Sequence, residues 1–191
     1  MELVYHKGDN FGDNLNEDIL RFLKLPNGKG RILGIGSILG LENVTEKSYV
    51  FSSGFGGNQP HIYGHLPTDF SDYELLALRG PLTKKAIGKP AENVEVLGDG
   101  ALLAPLAFPS LQNTRKNLGV IVIPHVSTML RFPGISKLVK NIGVGFMDPR
   151  TSGAHAAEII SKSSLIITEA MHGAILADSF DRPHIPITFS K

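Results

Sequence analysis

The sequence predicts an α/β protein with mostly parallel sheets, and two observations carry that prediction. Short, near-continuous apolar runs recur along the chain, each closed by Gly, Pro or a small polar residue. Segments of helical periodicity lie between several of them. Strands that are apolar throughout suit a sheet covered on both faces by helices, and hence a parallel one. The runs are Leu3 to Tyr5, Arg31 to Ile35, Tyr49 to Ser52 and Glu74 to Leu78. They continue with Val94 to Leu97, Leu118 to Ile123, Val144 to Met147 and Leu165 to Thr168, and Pro183 to Phe189 reads as one more strand.

Four helices are expected. Leu15, Ile19, Phe22 and Leu23 fall on one helical face after Asp13, and Pro26-Asn27-Gly28 ends that pattern. A second helix starts at Pro81, where proline suits the first helical position, and stops at Gly88. A third runs from about Gly153 to Ser161, and a fourth begins near Met171 or His172. The proline-containing, polar stretch Pro105 to Asn117 marks a linker or crossover. The expected division is a first lobe at 1–108, a linker at 109–117 and a second lobe at 118–191. Only Ser190 and Lys191 follow the last run, so the second lobe reads as short or truncated.

Composition narrows the function classes. The 191 residues are 42% hydrophobic and 19% charged with a net charge of +1, an ordinary soluble balance without a polyanion-binding signature. Nucleic acid is therefore not an expected partner. Cysteine is absent, which removes disulfides, thiolate nucleophiles and thiolate metal sites. Met1 to His6 lacks the basic and apolar regions of a signal peptide. No apolar run approaches the roughly 20 residues that span a membrane, so the expected location is cytoplasmic, with membrane contact limited to a peripheral kind.

The most informative segment is Leu165 to Ala177. Its apolar run ends in Thr168 and Glu169, and a helix follows that carries His172 and Gly173. An imidazole, a carboxylate and unpaired helix-start N–H groups then share the carboxyl end of a strand, where open α/β sheets bind ligands. The plain structural alternative is that His172 only caps or packs. A polar loop, Lys7 to Asn16, separates the first strand from the first helix. There Asp13 or Asn14 can cap the helix, while Asn10 and Asp13 can also bind hydroxyls or accept a proton.

Two glycine-rich strand ends follow, Gly34-Ile35-Gly36-Ser37 and Ser52-Ser53-Gly54-Phe55-Gly56-Gly57. Neither has the context of a dinucleotide fingerprint, and no phosphate loop of the GK[ST] type occurs. Arg79 ends a strand before Pro81 and matches the planar geometry of a carboxylate or phosphate, or else pairs with Asp99 or Glu74. Asp99 and His125 also lie just past strands. His61 and His65 are four apart, but Pro60, Gly64 and Pro67 argue against helical display, and no metal site is expected.

In this order along the chain, these segments resemble the polysaccharide pyruvyl transferase family. The resemblance rests on Asn10-Phe11-Gly12-Asp13, Gly34 with Gly36, Ser53-Gly54-Phe55-Gly56 and Arg79-Gly80-Pro81-Leu82-Thr83. It continues through Gly98-Asp99-Gly100-Ala101-Leu102-Leu103, Pro124-His125 and Glu169-Ala170-Met171-His172-Gly173, a form most similar to the succinoglycan-type branch. It implies a GT-B-like fold of two Rossmann-like lobes facing a cleft. It implies phosphoenolpyruvate as donor substrate, no cofactor, and a sugar diol of a polysaccharide or lipid-linked oligosaccharide as acceptor. The product is a cyclic pyruvate ketal.

By that resemblance, His172, Arg79 and Asp13 carry catalysis. Asn10, Gly12, Ser37, Ser53, Gly54, Asp99, His125, Glu169 and Gly173 contribute to substrate binding. His172 is the expected proton donor, Arg79 the anion clamp and Asp13 the group that orients the acceptor hydroxyl. Ala170 departs from the family pattern, since many members carry arginine there. Two other classes stay open: a glycosyltransferase using a nucleotide sugar on the same architecture, and a non-catalytic sugar- or anion-binding remnant.

Overall fold

The computed structural model describes residues 1–23, 28–40, 46–57 and 63–188. The expected end of the first helix at Pro26 and Asn27, His61, and the tail from Phe189 lie outside the described residues. The chain divides into two compact units. The first comprises Met1–Lys7 and Leu20–Gly100, and the second Gly8–Ile19 and Ala101–Lys191. Each holds a four-stranded, fully parallel sheet with helices, as the apolar runs predict, and the architecture is Rossmann-like.

In the first unit the strands are β1 (Glu2–Val4), β2 (Arg31–Leu33), β3 (Ser48–Ser53) and β4 (Tyr73–Leu78), hydrogen-bonded in chain order. Leu33, Val50 and Leu78 from this sheet are buried with Ile38, Leu39, Ile87 and Ala91. Ile87 comes from α2 (Pro81–Ile87), which starts on proline and ends where Gly88 takes φ 74°. Truncating a side chain as buried as Leu78 costs about 2–5 kcal/mol. Val94 to Leu97 is not a strand. It meets β4 at one parallel bridge, Leu78 to Val96, and Gly98 at φ 94° then turns the chain away.

The first helix, α1 (Phe11–Phe22), buries Phe11, Leu15, Ile19 and Leu20. Phe22, expected on the buried face, is the last residue of the helix and is 44% exposed.

In the second unit the sheet runs β6-β5-β7-β8, from β5 (Val120–Ile123), β6 (Gly145–Phe146), β7 (Leu165–Thr168) and β8 (His184–Pro186). Chain order reverses between β5 and β7: one crossover leads outward to β6, the next to the opposite side. The carboxyl ends of two such strands form the crevice where open sheets bind ligands. The stretch expected as linker or crossover holds α3 (Ala104–Ala107) and a single 3-10 turn at Pro109–Leu111.

Two helices, α4 (Val126–Arg131) and α5 (Ile135–Asn141), connect β5 to β6 and were not expected from periodicity. Phe132-Pro133-Gly134 interrupts the pattern and leaves each piece only two turns long. Their inward residues Met129, Ile135 and Val139 are buried with Val122. The remaining helices, α6 (Gly153–Lys162) and α7 (Met171–Ser179), match the expected positions. Ala156, Ala157, Ile160, Leu176 and Ala177 are fully buried there. Among the described residues no helix is long and apolar enough to cross a membrane.

Candidate functional site

Five expected site residues of the first unit gather at the carboxyl ends of β2, β3 and β4. Ser52, the last residue but one of β3, lies in the left-handed region at φ 63°, and its hydroxyl donates to the Gly98 carbonyl at 2.5 Å. This turns Ser53 inward, where its hydroxyl lies 2.9 Å from the Leu33 carbonyl and 2.5 Å from that of Gly34. Gly54 then donates its N–H to Gly36, whose φ of 125° favours glycine.

The loop so fixed forms the floor under Arg79. A Cβ at Gly54 would fall on the guanidinium, so glycine is what admits the close approach. Arg79 Nη2 donates to the Ser37 hydroxyl at 2.8 Å. Nη1 lies 3.9 Å from Asp99 Oδ2, is itself buried, and has no hydrogen-bond partner among the described residues. Of the two carboxylates offered by the sequence, Asp99 is therefore the neighbour of Arg79. Glu74 instead meets Lys47 at 2.8 Å, which raises the Lys47 ammonium pKa. A buried guanidinium N–H without an acceptor is costly, and an anionic oxygen is its natural complement.

The second unit collects the other group. Asn10, rather than Asp13 or Asn14, caps α1: its Oδ1 accepts from the Gly12 N–H at 2.9 Å, and its carbonyl accepts from Asn14. The helix starts three or four residues earlier than a cap at Asp13 or Asn14 would place it, with the Phe11 N–H taken by the Pro149 carbonyl and Asn10 in the capping position. Asp13 thus sits in the first turn, where the helix dipole favours a carboxylate.

Gly12 lies against His172. A Cβ there would overlap the imidazole ring, and His172 is only 7% exposed. Behind it, the Thr168 hydroxyl accepts from the Ala170 N–H and donates to the Ala170 carbonyl, both at 3.0 Å, fixing the turn into α7. Gly173 is required here because a Cβ would strike Thr168 Oγ1. Ala170, in the cap position of this nine-residue helix, has no side chain that can cap it.

His125 and Glu169 meet at the reversal point of the sheet. The Glu169 carboxylate accepts from the His125 N–H at 2.9 Å, tying the ends of β5 and β7 together. The exposed His125 ring caps α4, its Nδ1 accepting from the Ser127 N–H at 3.2 Å. The sequence reading missed Asp148 and Arg150, which follow β6 in this unit. Arg150 grips Asp148 in a two-point ion pair at 2.9 and 2.6 Å, and the hydrogen bonds hold the Asp148 pKa below its ordinary value. Charged residues directly after the run Val144 to Met147 were the available signal.

Two four-stranded parallel sheets flanked by helices, one in each unit, define a Rossmann-like α/β protein. The chain belongs to the polysaccharide pyruvyl transferase family, whose sequence profile matches residues 10–190. It is 33% identical over 191 residues to the succinoglycan biosynthesis protein ExoV of Rhizobium meliloti (strain 1021). That match covers 95% of this chain and 57% of the relative, so the chain spans little more than half of the relative's length. No solved structure gives a significant match.

Proposed function

We propose that the protein transfers pyruvate from phosphoenolpyruvate to a sugar diol in exopolysaccharide synthesis, on the polysaccharide or its lipid-linked precursor. The observation that carries this reading is Arg79, whose buried Nη1 has no hydrogen-bond acceptor among the described residues while Ser37 and Gly54 hold the guanidinium in place. Family membership supplies the reaction class, and the site in the cytoplasm follows from where phosphoenolpyruvate is made. Asp99, Ser53 and the Gly34–Gly36 turn support Arg79 as it binds the donor's carboxylate or phosphate.

Ketal formation protonates the methylene carbon of phosphoenolpyruvate and adds one sugar hydroxyl to the adjacent carbon. Phosphate then leaves with its bonding electron pair, and the second hydroxyl closes the ring with loss of its proton. His172 is the proton donor, to the methylene carbon or to the departing phosphate, held in one orientation by the close approach of Gly12. Asp13 and Asn10 orient the acceptor hydroxyl, and His125, Glu169 and Gly173 shape the strand ends beside it. No metal or cofactor enters this scheme.

The test measures phosphate release from phosphoenolpyruvate with candidate oligosaccharide acceptors and the added pyruvate by mass spectrometry. His172→Ala and Arg79→Ala should each lower turnover by about two orders of magnitude or more, the range for lost general acids and charge clamps. Near-wild-type release by either variant would remove that residue from its role. Ala170, in the position of the family's arginine, favours a second reading as an anion-binding domain. Phosphoenolpyruvate binding without turnover on any acceptor would select it.

A further inference from the structure

We propose that the outer face of α4 and α5 docks on an anionic lipid bilayer. The sequence carries no Asp or Glu from Ala101 to Met147, and α4 and α5 carry Arg131, Lys137 and Lys140; Lys116 of the same stretch lies instead beside Asp178 and Asp181. The whole chain has a net charge of only +1, so positive charge is concentrated in this stretch. Local backbone structure then sorts the side chains. On α5, Ile135 and Val139 face the core, which turns Lys137, Leu138, Lys140 and the following Ile142 outward. Leu138 and Ile142, four residues apart and hence on one helical face, are 66% and 71% exposed. At the end of α4, Leu130 is 73% and Phe132 48% exposed, on either side of Arg131.

Single exposed leucines are common on soluble proteins, but apolar side chains interleaved with cations, with no acidic residue on either helix, form the pattern of an interfacial surface. The apolar tips enter the boundary between headgroups and acyl chains, while Lys and Arg stems extend along it and keep their charges at the phosphates. A second copy of the same face would set like charges against each other. A nucleic acid offers no apolar layer for Leu138 and Ile142. An anionic leaflet satisfies both features of the surface. For a transferase with a lipid-carried acceptor, docking brings the enzyme to its substrate. That consequence rests on the function proposed above; the docking itself rests on the surface alone.

Cosedimentation of the intact chain with vesicles tests it without donor or acceptor. Vesicles of phosphatidylglycerol and phosphatidylcholine in equal parts should bind the protein, pure phosphatidylcholine vesicles should not, and added salt should weaken the binding. Each basic residue near an anionic surface strengthens association about five-fold, so K137Q/K140Q should bind about 25-fold more weakly. Leu138→Ser with Ile142→Ser should weaken binding about tenfold or more. Both variants should keep the wild-type thermal midpoint, because the replaced side chains are exposed. Equal binding to the two vesicle types, or variants that bind like wild type, overturns the proposal. Self-association without lipid that the same substitutions abolish also overturns it, by assigning the face to a protein contact. Vesicle binding by a chain that releases no phosphate would separate this result from the enzymatic reading.

Discussion

A methyl group at Gly12 would fall on the His172 imidazole, and one at Gly54 on the Arg79 guanidinium. In each unit the group proposed to do chemistry is held against backbone that only glycine leaves bare. Gly12→Ala sets two effects against each other. Alanine improves an α-helix by about 1 kcal/mol over glycine, whereas forcing a methyl into a filled site costs about 1–3 kcal/mol. The second effect should win: a lower urea midpoint and a turnover reduced further than the stability loss explains. A stabilised, fully active Gly12→Ala protein would contradict the close contact. At Gly54 the displaced guanidinium loses its hydrogen bond to Ser37, and charged hydrogen bonds are worth about 1.5–3 kcal/mol. Gly54→Ala should raise the KM for phosphoenolpyruvate roughly tenfold or more, with a smaller change in kcat. An unchanged KM would take the donor away from Arg79.

The segment from β6 to α6 acts as an element through one ion pair. Arg150 hydrogen bonds, opposed by partial burial and aided by backbone and Coulombic contacts, lower the Asp148 pKa from its ordinary 3.8. Between the paired residues, the Pro149 carbonyl accepts from Phe11 and so holds the start of α1. A depressed carboxylate pKa stabilises the fold above its unfolded value, and that contribution is lost as pH falls through the folded value. The pair is about two-fifths exposed on each side, so its worth is limited to about 1 kcal/mol. Arg150→Ala should therefore lower unfolding stability by up to that amount at about pH 7, with the difference from wild type shrinking as pH falls below the ordinary carboxylate value of 3.8. A difference that persists undiminished in acid would mean that the Arg150 side chain supports the loop by packing.

Across the whole molecule, what could be read from the sequence was set by the range of the interactions. Leu165 to Thr168 and Val120 to Ile123 are legible as buried strands because their apolar runs are a local property, and Pro81 and Gly88 bracket α2 for the same reason. The reversal of strand order between β5 and β7, which sets His125 beside Glu169, leaves no local trace. Nor does the approach of Gly12 to His172, or of Ser37 to Arg79 across 42 positions. The cap at Asn10 was misassigned because the deciding partner, Pro149, is distant in sequence. Motif order therefore named the family, while the pairings among the expected site residues came from the fold. One measurement on the intact chain bears on the donor. A ligand that binds only the folded state stabilises it by RT ln(1 + [L]/Kd), about 2.7 kcal/mol at one hundred times Kd. For a domain of this size that corresponds to a rise in Tm of about 5–11 °C. Phosphoenolpyruvate should produce this saturable rise in the wild type, and Arg79→Ala should abolish it. A nucleotide sugar should leave Tm unchanged, because neither glycine-rich strand end has the context of a nucleotide-binding turn. The reverse pattern, a shift with nucleotide sugar and none with phosphoenolpyruvate, would reassign the chain to glycosyl transfer.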